Sequence, residues 1–141
     1  MCYLIYISTD SAEDLSQHNS ALIGGSSQVE SIDCLGDMRD LVWLEIDNFK
    51  KITNISTLSK LSRLRGLSLE GSMWTTQIFD SLTPIGQLTN LEFLSIVNLR
   101  AKDKTLAPLF NLKKLKTLHT AKWWPKSEIS ELNRELPGLA S

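Results

Sequence analysis

Aliphatic residues recur along most of this chain in a two-part rhythm. With Leu41, Leu64, Leu91 and Leu115 as anchors, separated by 23, 27 and 24 residues, four stretches fall into one register. Positions nine, six and three before each anchor, the anchor itself, and three and five after it read Ile32, Leu35, Met38, Leu41, Leu44, Ile46 in the first stretch. The second reads Ile55, Leu58, Leu61, Leu64, Leu67, Leu69; the third reads Leu82, Ile85, Leu88, Leu91, Leu94, Ile96. The fourth reads Leu106, Leu109, Leu112, Leu115, Leu118 and Thr120. Thr120 alone departs from Leu, Ile or Met, and chance does not deliver such a pattern four times in one register.

The change of spacing within each repeat carries the structural meaning. Steps of three before the anchor suit a helical or 3-10 segment that packs one stripe inward. The step of two after it is the period of a strand with alternate residues inward. A single such unit cannot bury its apolar side, so successive coils stack and share a core. The pattern predicts an α/β solenoid. About four parallel strands line its concave face, and short helical or 3-10 segments cover the convex one.

The stretches Leu41-Val-Trp-Leu44-Glu-Ile46, Leu64-Arg-Gly-Leu67-Ser-Leu69 and Leu91-Glu-Phe-Leu94-Ser-Ile96 carry an L-x-x-L-x-L core. From about residue 29 to the C-terminus the chain therefore resembles the leucine-rich repeats. The preceding L-x-x-L-x-x-L is similar to their short-repeat class, which includes bacterial internalins and a phosphatase regulator. The resemblance implies a protein-binding platform on the concave sheet. It also implies an asparagine eight residues after each anchor. Here Asn48 and Asn98 sit at seven, and Gly71 and Lys122 hold the other two places, so the family's asparagine ladder is not carried over.

The ends divide the chain into residues 1–28, an N-terminal strand-helix cap or separate small module, and a repeat domain over 29–141. Residues 3–7 read as a short strand. Ser11-Ala-Glu-Asp14 matches a capping box, and Leu15, Ala21, Leu22 and Ile23 add helical content before Gly24-Gly25. At the C-terminus Ser127 is a candidate N-cap for a short helix with Ile129, Leu132 and Leu136 facing inward. Leu139 then lies 24 residues beyond Leu115. This half-repeat is either a cap or the start of further repeats in a longer protein.

Strand alternation turns the second, fourth and sixth residues after each anchor away from the core. These are Trp43, Glu45 and Asp47; Gly66, Ser68 and Glu70; Phe93, Ser95 and Val97; and Thr117, His119 and Ala121. Aromatic residues on a rigid exposed platform are typical binding anchors. Trp43 and Phe93 are accordingly the candidate apolar contacts, unless they pack against the cap or neighbouring loops. Glu45, Asp47 and Glu70 supply an acidic flank suited to a basic partner; Ser68, Ser95, Val97, Thr117 and His119 complete the candidate face. Trp74, in the 27-residue repeat, either extends that surface on a loop or fills the wider turn.

The net charge of -1 hides an uneven distribution. Residues 1–48 carry nine acids and one base, whereas residues 100–126 carry eight bases and one acid. Sequence order maps onto position along a solenoid, so an acidic end and a basic end are expected, with head-to-tail self-association as one consequence. Lys113, Lys114 and Lys116 are candidates for phosphate contact, but no aromatic interleaving or nucleic-acid motif accompanies them. Nucleic-acid binding through residues 100–126 is thus a third reading. The second is a structural or accessory segment of a larger repeat protein, such as a bacterial effector or receptor-like chain.

Nothing in the sequence calls for a cofactor or a metal, and no catalytic motif is present. Cys2 would be N-terminal after loss of Met1, as in amidotransferases with a cysteine nucleophile, but Tyr3 stands where they have glycine. His18 and His119 read as isolated. The expectation is a binding module and not an enzyme. Two unpatterned cysteines, Cys2 and Cys34, form no disulfide framework or zinc site and point to a reducing compartment. No apolar stretch approaches the roughly 18 residues that span a bilayer. The expected location is the cytoplasm, with secretion by a leaderless route as the alternative.

Overall fold

The computed structural model describes residues 19–23, 30–72 and 74–139 of the chain, with side chains from Glu30 onward and at Ser20. Its strands are β1 (Asn19–Ile23), β2 (Leu41–Asp47), β3 (Gly66–Glu70), β4 (Gln77–Phe79), β5 (Phe93–Ile96), β6 (Leu99–Ala101) and β7 (Thr117–Thr120). Strands β1, β2, β3, β5 and β7 form one parallel sheet in that order. Strands β4 and β6 form a second, two-stranded parallel sheet. Convex turns return the chain between strands: 3-10 segments at Asp33–Asp37, Ser56–Lys60 and Ala107–Asn111, and the short helix α1 (Thr83–Gly86). Helix α2 (Lys126–Glu135) packs beside the last of these turns.

The three-residue spacing of the aliphatics has a backbone cause. In the first coil Leu35 N–H donates to Ile32 O, Met38 N–H to Leu35 O and Leu41 N–H to Met38 O, at 2.9, 2.9 and 3.1 Å. The same chain of bonds links Ile55, Leu58, Leu61 and Leu64, then Leu82, Ile85, Leu88 and Leu91, then Leu106, Leu109, Leu112 and Leu115. Each bond closes a 3-10 turn, and residues three apart in such turns eclipse one another, so one aliphatic stripe faces inward. Of the repeat positions, all but Met38 and Thr120 are buried. Removing that apolar surface from water is the main driving force for stacking the coils.

The sheet has one strand more than the four repeats imply. Ala21, Leu22 and Ile23 form part of β1 and not a helix: β1 runs parallel to β2, with Ala21 opposite Leu44 and Ile23 opposite Ile46. The backbone of β1 thereby adds a fifth strand at the β2 edge of the sheet. The readings of residues 3–7, of the Ser11–Asp14 capping box, of Leu15 and of Cys2 and His18 lie outside the described residues. Cys34 is disulfide-bonded. The unpatterned spacing of the cysteines did not announce this bond.

Positions eight after the first and third anchors show what stands there in place of the ladder asparagine. Phe49 and Leu99 stand there and are buried at 2% and 0% exposure, so apolar packing replaces a polar ladder. The preceding Asn48 and Asn98 turn the chain out of the strand with φ of 58° and 59°, a left-handed conformation that asparagine tolerates better than most residues. Asn98 also donates through Nδ2 to Ser72 O and to Thr75 O, and accepts at Oδ1 from Thr76 Oγ1. Its carboxamide thereby ties down the extra residues of the 27-residue repeat. Buried Gln77 donates to Ile52 O at 2.8 Å, carrying the tie to the coil before.

At the C-terminal end Pro125, and not Ser127, holds the N-cap of α2. Proline presets the φ needed at a helix start and lacks an N–H that would go unpaired there. Leu132 and Leu136 are buried and Ile129 packs against the core, as expected. Glu128 reaches back so that Oε2 accepts from Leu106 N–H at 2.8 Å and from Thr105 Oγ1 at 3.0 Å, capping the Ala107–Asn111 turn.

Candidate functional site

The register of the main sheet assembles outward residues into rows. Ser20, Trp43, Gly66, Phe93 and Thr117 are successive partners across β1, β2, β3, β5 and β7. The next row contains Glu45, Ser68, Ser95 and His119, and Asp47 opposite Glu70 begins a third. Residues drawn from four repeats thus form one surface.

An aromatic ladder crosses the first two rows. The rings of Trp43 and Phe93 stack with centroids 5.1 Å apart and planes inclined by 26°. Phe93 in turn meets His119 edge-on at 5.4 Å and 83°. Trp43 and Phe93 are half-buried and lean on each other. His119 is exposed and, contrary to the sequence reading, is not isolated.

Carboxylates border this ladder. Trp43 Nε1 donates to Glu45 Oε1 at 2.8 Å, which fixes the indole. Glu70 Oε1 accepts from Ser95 Oγ at 2.8 Å and from Ser68 Oγ at 3.2 Å. Ser95 is 2% exposed, so its hydroxyl serves to orient Glu70 and does not itself offer a contact. Asp47 is exposed. Trp43, Glu45, Asp47, Ser68, Glu70, Phe93, Ser95 and His119 all line one open depression of about 330 Å³, and among the described residues no lysine or arginine lines it. Three carboxylates facing a shared concavity give it a negative potential.

Two candidate residues lie apart. Val97, 38% exposed, borders a neighbouring hollow with Gly71, Asn98, Ala121 and Trp123. Thr117 is half-buried at the C-terminal edge of the first row, outside the depression. Trp74 does not fill the wide turn of the long repeat; it is 90% exposed, on the turn closed by the Ser72–Thr75 bridge.

The basic stretch is largely engaged with the protein itself. Lys113 pairs with Glu135 at 3.6 Å, Lys116 with Glu92 at 2.9 Å, and Lys114 Nζ donates to Asn90 Oδ1 at 2.8 Å. Arg65 approaches Glu92 from the other side at 2.5 Å. The hydrogen bonds from Arg65 and then Lys116 hold the Glu92 carboxyl below its ordinary pKa. These contacts join successive coils. Among the described residues no group of three or more His, Cys, Asp or Glu is placed to hold a metal, and no helix is long and apolar enough to cross a membrane.

No protein-family model matches the chain. A curated Trypanosoma equiperdum protein bearing the name adenylate cyclase regulatory protein is 34% identical over 84 residues, 60% of this chain and 13% of its own length. Among solved structures, internalin C2 of Listeria monocytogenes superposes with a TM-score of 0.59 at 26% identity, over 79% of this chain and 45% of its own. A leucine-rich-repeat protein of Leptospira interrogans matches with a TM-score of 0.48 and 17% identity, over 79% of this chain and 33% of its own. The chain therefore spans less than half the length of each of these proteins.

Proposed function

This chain is a leucine-rich-repeat protein, and we propose that it is a protein-interaction module that captures a basic protein segment on its concave sheet. One observation carries the reading: the Trp43–Phe93–His119 ladder is set among Glu45, Asp47 and Glu70 in a single open depression with no lysine or arginine among its described lining residues. An apolar side chain of the partner packs on the rings, and a neighbouring lysine or arginine meets the carboxylates. Two features suit this work. The rings are held by each other and by Glu45, so little side-chain freedom remains to be lost on binding. Glu70 is fixed by two hydroxyls through one oxygen, Oε1.

Selection from a displayed random-peptide library on the folded protein tests the reading. Enriched peptides carry lysine or arginine next to an aliphatic or aromatic residue, and their affinity falls on Phe93→Ala and on Glu70→Gln. Enriched peptides without basic residues, or with equal affinity for both variants, contradict it.

A further inference from the structure

Two of the basic residues that remain after the coil-to-coil pairs are counted meet at a second place. Lys102 pairs with Asp80, and Lys113, Lys114 and Lys116 have the partners described above. Among the described residues, Arg100 and Lys104 have no carboxylate partner. Both line a cleft of about 290 Å³ with Ala101, Trp123, Trp124 and Pro125. This cleft lies beside β6 and shares no lining residue with the depression of the main sheet.

The cleft is a formed feature. Trp123 Nε1 donates to Leu99 O at 3.1 Å, so the indole does for β6 what a further strand would do. The Arg100 guanidinium lies 5.0 Å from the centre of the Trp123 ring, which holds the cation at the rim. Lys104 sits in a left-handed turn, φ 56°, closed by its N–H on Ala101 O at 3.1 Å. By the alternation of a parallel pair, the amide of Ala101 faces away from β4, toward the same side as Leu99 O. Trp124 is 6% exposed and its Nε1 has no acceptor among the described residues. The walls thus combine two unpaired cations with flat apolar surface from Trp123 and Pro125.

We infer that this cleft is a second docking site, and that its occupant is an acidic peptide segment: a carboxylate held between Arg100 and Lys104, with a neighbouring apolar side chain against Trp123 and Pro125. Charge complementarity names the sign of the occupant. The open shape and mixed lining favour a chain segment over a phosphate alone, which would leave the indole and proline surface unused. The inference is independent of the concave-face reading, because the two sites share no residue and call for partners of opposite charge.

The test is a titration of the whole chain with a capped peptide of alternating glutamate and leucine at low salt, followed by calorimetry. Saturable one-to-one binding is expected, weakened tenfold or more by Arg100→Gln/Lys104→Gln and also by Trp123→Ala. Lys113→Gln/Lys114→Gln makes the same change of net charge away from the cleft and is expected to leave the affinity within twofold. Circular dichroism of each variant reports whether it is folded. Equal loss on both double variants would mean attraction by net charge and would overturn the site. Saturation by inorganic phosphate or by an oligothymidylate with no response to the peptide would overturn the choice of occupant.

Discussion

The indole of Trp43 stacks on the ring of Phe93 although a whole strand, β3, runs between theirs. Neighbouring strands lie about 4.8 Å apart, so residues in one row on β2 and β5 start about twice that distance from each other. Gly66, their common partner in the row, allows the rings to lean together. A Cβ built at Gly66 would stand 2.0 Å from Trp43 Cε3, which shows that the indole occupies the space a side chain would need. The leading contact of the candidate site therefore depends on an absent side chain.

Substitution Gly66→Ala is predicted to force Trp43 off its stacking position. The expected results are loss of the near-ultraviolet circular dichroism contributed by the Trp43–Phe93 pair and about 1–3 kcal/mol of destabilisation in urea unfolding, typical of overpacking. An unchanged near-ultraviolet spectrum would mean that the indole is not confined over Gly66.

Phe93→Ala removes a ring in contact with both Trp43 and His119. Aromatic pairs of this kind contribute roughly 0.5–1.5 kcal/mol beyond burial. The fold should persist by far-ultraviolet dichroism, while the affinity for a selected basic peptide falls by about 1–3 kcal/mol, measured by calorimetry.

Much of this was legible in the sequence because it depends only on period. The step of three is the step of the 3-10 hydrogen bonds, and the step of two is strand alternation; Leu58 and Leu67 need nothing else to be placed. The same alternation brought Trp43, Glu45, Glu70 and Phe93 to one face. The part that was not legible depends on what sits one coil away. Ala21 and Ile23 lack the leucines that mark the other repeats, so β1 gave no periodic signal. Gly66 reads as an unremarkable outward position until Trp43 is seen lying over it. The lysines near residue 114 look like a free basic patch until Glu92, Asn90 and Glu135 are found on neighbouring coils. Stacking the repeats would have exposed the Arg65–Glu92–Lys116 column, since all three follow their anchors by one residue.

That column predicts a pH dependence. Glu92 titrates below its ordinary value when folded, so its contribution to stability is complete above the carboxylate range and is lost as pH falls through the lowered value. Replacing it with glutamine should flatten the acid limb of the stability curve and leave a smaller pH effect below about pH 4. Unfolding midpoints measured in urea across that range check this. Identical acid limbs for the two proteins would rule out the column as a contributor.

Asn98 offers a test of the long repeat. Asn98→Ala removes the bonds to Ser72 O and Thr76 Oγ1 and places alanine at φ 59°, so a loss of about 1–3 kcal/mol is expected. Asn98→Gly loses the same bonds without the backbone strain and should fall between alanine and wild type. If glycine is as damaging as alanine, the side-chain bonds dominate and the backbone conformation matters little.

The central claim is that the concave aromatic ladder is the contact surface for a basic segment, and the indole N–H signals of Trp43, Trp74, Trp123 and Trp124 offer the most direct measurement. In nitrogen-15 correlation spectra titrated with a selected basic peptide, the signal of Trp43, whose N–H rests on Glu45, is expected to move to saturation while those of Trp74 and Trp124 stay in place. A saturating peptide that leaves the Trp43 signal unmoved would contradict the claim.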